Sequence, residues 1–309
     1  IGGQRKIVGK FYGGLSYTFA HYNTVYEDDI SPSSVSHSNA LVINLLYDTR
    51  DAVYYPTKGY KIKLDWSTYP SFLDNDNFLN VVLETSPKAV SFHFGIPHRH
   101  QIQALKNAGI ITMVSATNLI EAQLIEAAGI DVIIAQGIEA GGHRGIFNQT
   151  FDVALKTSDL VQLISAHCTI PVVAAGGIMN GEQANLMLKR GAAAVQLGTA
   201  FVQCKSSSAN TAYRKALFSQ KITQISASLS GRPARGLLGS WHTEIDSPDR
   251  PTPPEYPYTY DLAKQLMAVA SQHNDFSYGA FWAGSNVAQI RELEAADLIN
   301  QLVLEMKNI

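Results

Sequence analysis

A histidine flanked by glycines is the residue of this sequence best suited to acid–base chemistry. His143 lies in the segment QGIEAGGHRG at positions 136–145, with Gly141 and Gly142 before it and Gly145 after it. Glycine lets backbone amides come close to a ligand, and a histidine can exchange a proton near neutral pH. The same pattern is typical of a flexible glycine turn with an exposed histidine. The spacing alone leaves both interpretations open.

Two further loops have the character of phosphate sites. In the first, Gly176 and Gly177 precede a helix that Asn180 is expected to cap, so unpaired N–H groups and the helix dipole would attract an anion. The second loop consists of Gln196, Leu197, Gly198 and Thr199. Its glycine permits close backbone approach, and its threonine offers a hydroxyl to a phosphate. Two such loops separated by one helix predict a phosphorylated ligand such as FMN, although a sugar phosphate would satisfy the same geometry.

Short apolar strands and helical patterns alternate in the part of the chain that carries these loops. Strands are predicted at 88–94, 110–115, 130–135, 171–175 and 193–197. Asn118 with Glu121, and Asn180 with Gln183, predict capping boxes for two of the helices between them. This alternation requires a parallel sheet, because each crossover must return over the sheet face. A (β/α)₈ barrel and an open doubly wound sheet both fit, and chemistry-bearing residues after nearly every strand favour the barrel.

The first 76 residues follow a different pattern. Apolar and polar residues alternate with period two in three runs, at 11–20, 41–48 and 60–67. Such alternation predicts strands, either of a lipid-facing barrel wall or of one sheet of a sandwich. The motifs YDTRD at 47–51 and YPTKGY at 55–60 resemble the strand–turn–strand signature of the outer-membrane barrel assembly (bacterial surface antigen) family. Three strands cannot close a barrel, so this segment is not expected to span a membrane by itself.

Composition narrows the class of partners and the compartment. The chain has 309 residues, a formal net charge of -2 and 46% apolar residues, which gives no electrostatic reason to expect nucleic acid or an anionic membrane as partner. Cys168 and Cys204 are too few for a disulfide framework and have no metal-ligand spacing. Neither a signal peptide nor a transmembrane run of roughly 18 apolar residues is recognised. A cytoplasmic location and no metal site are therefore expected.

The glycine–histidine loop also carries a family resemblance. The segment AQGIEAGGHRG at 135–145 resembles the signature of the nitronate monooxygenases (2-nitropropane dioxygenases). Segments in matching order and spacing follow at 91–95, 174–178, 196–199, 230–236 and 282–284. The resemblance covers about 78–309. It implies an FMN enzyme on a TIM barrel with an appended helical region, acting on a nitronate or nitroalkane and O₂ to give a carbonyl compound and nitrite.

The resemblance also implies roles for individual residues. His143 would be the catalytic general base, taking the α-proton of a nitroalkane or orienting the nitronate anion, as a neutral imidazole with a pKa near its reference value. The residues expected to bind FMN are Gln136, Gly141, Gly176, Gly177, Gln196, Leu197, Gly198 and Thr199. The redox chemistry would belong to the cofactor.

Several other residues have two interpretations each. His93 would either line the site or be a satisfied core histidine. Arg232 and Arg235 would bind an anion or hold a loop, with the second favoured. The tyrosines of the proline-rich run, Tyr256, Tyr258 and Tyr260, could roof the pocket, but a packed irregular loop is favoured. Trp282 is expected in the core or the pocket wall.

The sequence thus predicts an α/β fold: a partial TIM (β/α)₈ barrel of about five βα units with a C-terminal helical region, preceded by an antiparallel β segment. The expected domains are 1–76 (β segment) and 77–309 (FMN-binding portion). A complete family member would carry about three more strand–helix units ahead of Lys88, which suggests a chimera of two gene fragments. Alternatives to an impaired nitronate monooxygenase are a flavin-dependent enoyl-thioester reductase of the related branch and a non-enzymatic chimera.

Overall fold

The computed structural model describes residues 11–14, 44–48, 61–64, 76–219, 221–254, 256 and 258–307. They form two compact units. One holds the described residues up to Phe92 together with Pro97–Ile111, and the other holds His93–Ile96 and the described residues from Thr112 onwards. The predicted domain boundary at 76–77 stays a prediction.

The first unit begins with three short antiparallel strands in the order β1–β2–β3. They are β1 (Phe11–Gly14), β2 (Asn44–Asp48) and β3 (Lys61–Leu64), and each lies within one of the three alternating runs. Phe11 is in register with Tyr47, and Leu45 with Leu64. An antiparallel β segment is therefore present where it was predicted. The motif at 55–60 lies outside the described residues.

The rest of the first unit starts the alternation of helix and strand. Its elements are α1 (Asp76–Thr85), β4 (Ala89–Phe92) and α2 (Arg99–Asn107). Helix α2 buries Ile102 and Leu105, the apolar positions that predicted its inner face. Gly109 follows it in the left-handed conformation, with φ of +70°, as is common after a helix.

The second unit is built on a parallel sheet with helices between its strands. Its strands are β5 (Ile111–Ala116, entering the unit at Thr112), β6 (Val132–Gln136), β8 (Val172–Ala175) and β9 (Ala194–Gln196). The pairs β5–β6, β6–β8 and β8–β9 are all parallel. The crossover helices are α3 (Leu119–Ala127), α4 (Thr157–His167) and α5 (Gly181–Lys189). The α/β fold and its parallel strands are as predicted.

Each of the two predicted capping boxes forms one of its two expected hydrogen bonds. The side chains of Asn118 and Asn180 accept hydrogen bonds from the amides of Glu121 and Gln183, at 3.0 and 2.9 Å. The second half of each box differs. Glu121 accepts from the amide of Thr117 at 2.6 Å, and Gln183 from that of Met179 at 2.7 Å, one residue before the cap. The side chains therefore fix the loops that lead into the helices.

The C-terminal part of the second unit adds a small antiparallel sheet and more helices. Its elements are the strand β7 (Gly142–His143), α6 (Thr211–Ser219), β10 (Thr223–Ser226), β11 (Ala234–Leu237), α7 (Tyr258–Gln272) and α8 (Ala295–Lys307). A π-helix spans Trp241–Ile245, and 3₁₀ turns span Thr199–Phe201 and Val287–Gln289. The sheet order is β10–β11–β7. No helix of the described chain has the length and apolar character needed to cross a membrane.

An apolar cluster packs this part together. Its buried members include Leu217, Val287, Leu298 and Leu302, and Leu197 lies partly buried against it. Fully buried aliphatic side chains supply most of the stabilisation of such a cluster, at about 1.5–3 kcal/mol each. One core thereby brings together segments that are distant in the sequence, at positions 179, 200, 217, 287 and 298.

Candidate functional site

Three neighbouring strands of the parallel sheet end in one row. Gln136 of β6 is in register with Ala175 of β8, which is in register with Gln196 of β9. The loops that follow these strands therefore emerge side by side, as in parallel α/β sheets whose ligands bind at the carboxyl ends of the strands.

A cavity of about 120 Å³ lies at this edge. Its lining residues are Gln136, Ala140, Gly141, Ala175, Gly176, Gly177, Ile178, Met179, Gln196, Gly198, Thr199 and Gly284. Seven of the eight residues predicted to bind the cofactor are in this set. The exception is Leu197, whose side chain packs against the apolar cluster instead. The sequence motifs thus converge on one cavity.

Gly176 and Gly177 line the cavity in a backbone conformation that other residues rarely adopt. Gly176 and Gly177 have φ of +121° and +70°, and a Cβ on Gly177 would lie 2.8 Å from Glu139 Cβ. Within the described chain, the amide N–H groups of Gly177 and Ile178 have no hydrogen-bond acceptor. Because both residues line the cavity, their N–H groups are suited to donate to an anionic ligand.

The carbonyl groups of the same glycines are held by side chains from outside the loop. Thr157 Oγ1 lies 2.9 Å from both Gly176 O and Glu139 Oε2, which share its single proton, and Asn286 Nδ2 donates to Gly177 O at 2.5 Å. Asn286 was not identified from the sequence. Its neighbour Gly284 was part of a matching segment, which was the available signal. These two hydrogen bonds fix the peptide planes and hence the direction of the N–H groups.

Helix α5 contributes less to an anion site than the sequence predicted. The amide of Gln183 donates to Asn180, and the amide of Gly181 donates to Glu305 Oε2 at 2.7 Å. Arg291 pairs with the other oxygen of Glu305 at 2.6 Å. The carboxylate of Glu305 therefore occupies the N-terminus of α5. The sequence did not predict this contact, because Glu305 lies 124 residues from Gly181. The amides of Gly181 and Gln183 are therefore not available to an anion in the cavity.

Thr199 and Gly284 also line the cavity. Thr199 Oγ1 accepts a hydrogen bond from the Gly284 amide at 2.9 Å, so its own proton is available for donation to an acceptor. A Cβ on Gly141 would lie 2.6 Å from Gly284 N. Glycine at 141 is thus required by the close approach of two loops.

Gln136 lines the cavity, but its side chain hydrogen-bonds to groups of the loop at 136–145. Its Oε1 accepts from the Gly145 amide at 2.7 Å and from Arg144 at 3.2 Å, and its Nε2 donates to the His143 carbonyl at 2.9 Å. Arg144 is fully buried, donates to Gly137 O at 2.8 Å and pairs with Asp152 at 2.8 Å. This network closes the segment 136–145 into a rigid loop.

His143 is a buried residue of β7 and not part of an exposed flexible turn. Its backbone pairs with Ala234 of β11, and only 9% of its surface is exposed. Three aromatic rings surround the imidazole, with centroid distances of 5.9 Å to Phe94, 5.2 Å to Tyr256 and 5.4 Å to Trp282. The flexible-turn interpretation is therefore wrong. His143 does not line the cavity of about 120 Å³, but its carbonyl group is bonded to Gln136, which does.

Two polar side chains fix the position of His143 further. Its Nε2 lies 2.9 Å from Ser230 Oγ. The carbonyl of His143 lies 3.2 Å from His93 Nε2, and the other ring nitrogen of His93 lies 2.9 Å from Ser115 Oγ. His93 is thus a hydrogen-bonded histidine that supports the backbone of the site. The sequence offered Ser230 only as part of a matching segment.

The environment of His143 strongly disfavours its charged form. Burial, followed by the nearby His93 and the cationic Arg232, lowers the pKa of His143 from 6.5 to about 3. Burial likewise lowers the pKa of His93 to about 4, partly offset by its bond to the carbonyl of His143. The prediction that the pKa of His143 stays near its reference value is wrong, because the sequence does not show what packs against the ring.

Arg232 and Arg235 both contact backbone carbonyls. Arg232 donates to Ile146 O at 3.3 Å, and its guanidinium lies 4.2 Å from the centroid of the Phe94 ring. Arg235 Nε donates to Ile138 O at 3.0 Å. Both contacts are of the loop-holding kind favoured from the sequence.

The tyrosines agree with the expectation only in part. Tyr256 is buried in a turn, in agreement with the packed irregular loop that was favoured, and its ring packs edge-on against that of His143. Tyr258 and Tyr260 lie in helix α7, not in irregular structure. Trp282 is partly buried and packs against the ring of His143, and its expected place in the core or the pocket wall stays a prediction.

Comparison with known proteins identifies the family. The family model described as nitronate monooxygenase matches residues 13–305. The nitronate monooxygenase of Pseudomonas aeruginosa is 48% identical over 77% of this chain and 69% of its own length. That of Paraburkholderia phytofirmans is 48% identical over 77% of this chain and 66% of its own length. The chain thus spans about two thirds of the length of these relatives.

Two solved structures superpose on most of this chain. Nitroalkane oxidase from Streptomyces ansochromogenes superposes with a TM-score of 0.71 at 38% identity, covering 75% of this chain and 68% of that chain. FabK from Thermotoga maritima superposes with a TM-score of 0.63 at 27% identity, covering 78% and 74%. None of these matches supports the resemblance of residues 10–76 to outer-membrane barrel strands, and the family match itself starts at residue 13. The chain belongs to the nitronate monooxygenase family, a family of flavin-dependent oxidoreductases.

Proposed function

We propose that this protein oxidises nitronates, and more slowly nitroalkanes, with O₂ to a carbonyl compound and nitrite, using FMN as cofactor and His143 as general base. The observation that carries the proposal is the convergence of seven predicted FMN-binding residues on one cavity, adjoining the loop that holds His143. The names of the relatives support the same reaction class.

The cavity fits part of FMN. The amides of Gly177 and Ile178, with the hydroxyl of Thr199, provide donors for a phosphate. The volume of about 120 Å³ is smaller than the roughly 300–1,000 Å³ of sites that enclose a whole ligand of this size. We therefore assign the described cavity to the phosphate end of the cofactor. The electron transfer from nitronate to oxygen is the chemistry that FMN supplies when bound.

His143 favours nitronates over neutral nitroalkanes. Its pKa of about 3 keeps the imidazole neutral at ordinary pH, so it can orient an anionic nitronate through hydrogen bonding. A base of such low pKa removes a proton from carbon slowly. Nitronates have already lost that proton, so kcat/KM should be higher for the nitronate of 2-nitropropane than for 2-nitropropane itself.

Substitution of His143 tests the proposal. In His143→Ala, nitrite formation from the nitroalkane 2-nitropropane should fall by about 10²–10⁴-fold while the flavin content of the purified protein stays the same. His242→Ala, a half-buried histidine in the π-helix, is the matched control and should keep its activity. An equal loss of activity and flavin in His143→Ala would show that His143 is structural.

The two alternatives have distinct signatures. Consumption of NADH with an enoyl thioester, without nitrite from a nitronate, would favour the enoyl-thioester reductase. Protein that stays colourless after addition of FMN would favour a non-enzymatic chimera. A yellow protein that releases nitrite contradicts both.

A further inference from the structure

Ser230 contacts the imidazole of His143 directly. Its Oγ lies 2.9 Å from His143 Nε2, and the serine is fully buried. Ser230 belongs to the turn that leads into β11, and β11 pairs with the strand of His143 through Ala234. The hydroxyl and the imidazole are therefore held by neighbouring parts of one sheet.

The hydrogen bonds of Ser230 determine where its proton lies. A serine hydroxyl donates one proton and accepts up to two. Ser230 Oγ lies 3.0 Å from the carbonyl oxygen of Arg232, which can only accept, and 3.3 Å from the amide of Arg232, which can only donate. A hydroxyl that gives its single proton to this carbonyl can only accept from the imidazole. In that arrangement His143 carries its proton on Nε2 and its lone pair on Nδ1.

We propose that Ser230 is a positioning residue that holds His143 as the Nε2–H tautomer, so that Nδ1 is its basic nitrogen. The catalytic consequence rests on the proposed function, whereas the tautomer is a property of the protein alone. The surrounding rings of Phe94, Tyr256 and Trp282 limit the position of the imidazole. Ser230 adds a polar contact at one of its two nitrogens, Nε2.

NMR of the full chain labelled with ¹⁵N-histidine tests the tautomer. Protonated and unprotonated ring nitrogens differ widely in ¹⁵N shift, and the signals of His143 are those missing from His143→Gln. The wild-type protein should show Nε2–H. Ser230→Ala should shift the tautomer equilibrium toward Nδ1–H, and Ser230→Thr, which keeps the hydroxyl, should restore the wild-type pattern. An Nδ1–H signal in the wild-type protein would overturn the proposal, as would an unchanged spectrum in Ser230→Ala.

A matched control lies two residues away. Ser228 is buried in the same turn, but its hydroxyl bonds to Ser226 Oγ at 2.7 Å. Ser228→Ala should leave the His143 spectrum unchanged, and a shift equal to that of Ser230→Ala would make the effect one of packing and overturn the proposal.

Kinetics separate the inference from the proposed function. In Ser230→Ala, kcat/KM for a nitronate should fall about tenfold at constant flavin content, which corresponds to one hydrogen bond, and Ser230→Thr should recover it. If the wild-type protein turns over no nitronate but Ser230→Ala still shifts the tautomer, the proposed function fails and the positioning role stands.

Discussion

At the scale of single residues, the glycines beside His143 allowed it to be identified from the sequence as a candidate catalytic residue. The packing around its ring determines its pKa. The flanking glycines and the family motif identified the residue from the sequence. Its pKa depends on rings and charges from Phe94, Arg232, Tyr256 and Trp282, which come from distant segments. No local pattern encodes those contacts. The identity of a candidate catalytic residue was therefore predictable, and its electrostatic state was not.

The low pKa of His143 predicts an unusual pH profile. A histidine with a pKa of 6.5 would lose its function as a base below that pH, whereas a pKa of about 3 keeps the imidazole neutral. We expect kcat/KM for 2-nitropropane to show no inflection from His143 between about pH 5 and 8. Initial rates of nitrite release over this range measure it, with His143→Ala as reference. A decline near pH 6.5 that is absent from the variant would contradict the prediction.

At the scale of secondary-structure elements, periodic patterns were sufficient for the parallel strands and the helices between them. Each strand of the sheet is a short apolar run, and α3 and α5 each have an asparagine cap and a glycine after the last turn, whereas α4 has neither. Strand β7 has two residues, too few for any period to be visible. The Glu305 cap of α5 was also hidden, because it joins residues 124 apart in the sequence.

The glycine loop after β8 gives a test at this scale. In Gly177→Ala, the new methyl would lie 2.8 Å from Glu139 Cβ at a φ of +70°, so the loop must shift and its amides with it. We expect at least tenfold weaker FMN binding, about 1.4 kcal/mol or more, measured by flavin fluorescence titration.

Gly109 provides the control for that substitution. It has the same φ of +70°, and a Cβ there would meet no atom within 4 Å. Gly109→Ala should therefore cost about 1 kcal/mol of stability through backbone strain alone and leave FMN binding unchanged. Equal effects of the two substitutions on FMN binding would mean that the Gly177 loop does not contact the cofactor.

At the scale of the whole molecule, the family match and the sequence pattern agree on most of the chain. The parallel α/β portion was predictable because its strands, helices and glycine loops recur in a fixed order. The relation of the first 76 residues to the rest was not, because alternation with period two is shared by many unrelated sheets. The family match from residue 13 gives no support to the chimera interpretation, which stays a prediction.

Two buried neutral histidines make the stability of the molecule depend on pH. The pKa values of His93 and His143 fall from 6.5 in the unfolded chain to about 4 and about 3 in the folded protein. Below pH 6.5 the unfolded state therefore binds more protons than the native state, so the free energy of unfolding decreases as the pH falls. Each histidine contributes a slope of up to about 1.4 kcal/mol per pH unit.

Urea unfolding between about pH 6.5 and 5, above the range where most carboxylates titrate, should show this loss of unfolding free energy, and His143→Gln should remove about half of it. Above about pH 7.5 both states are neutral at these residues, and the two proteins should show the same slope. An equal slope in the acid range would mean that His143 is accessible to protons in the native protein.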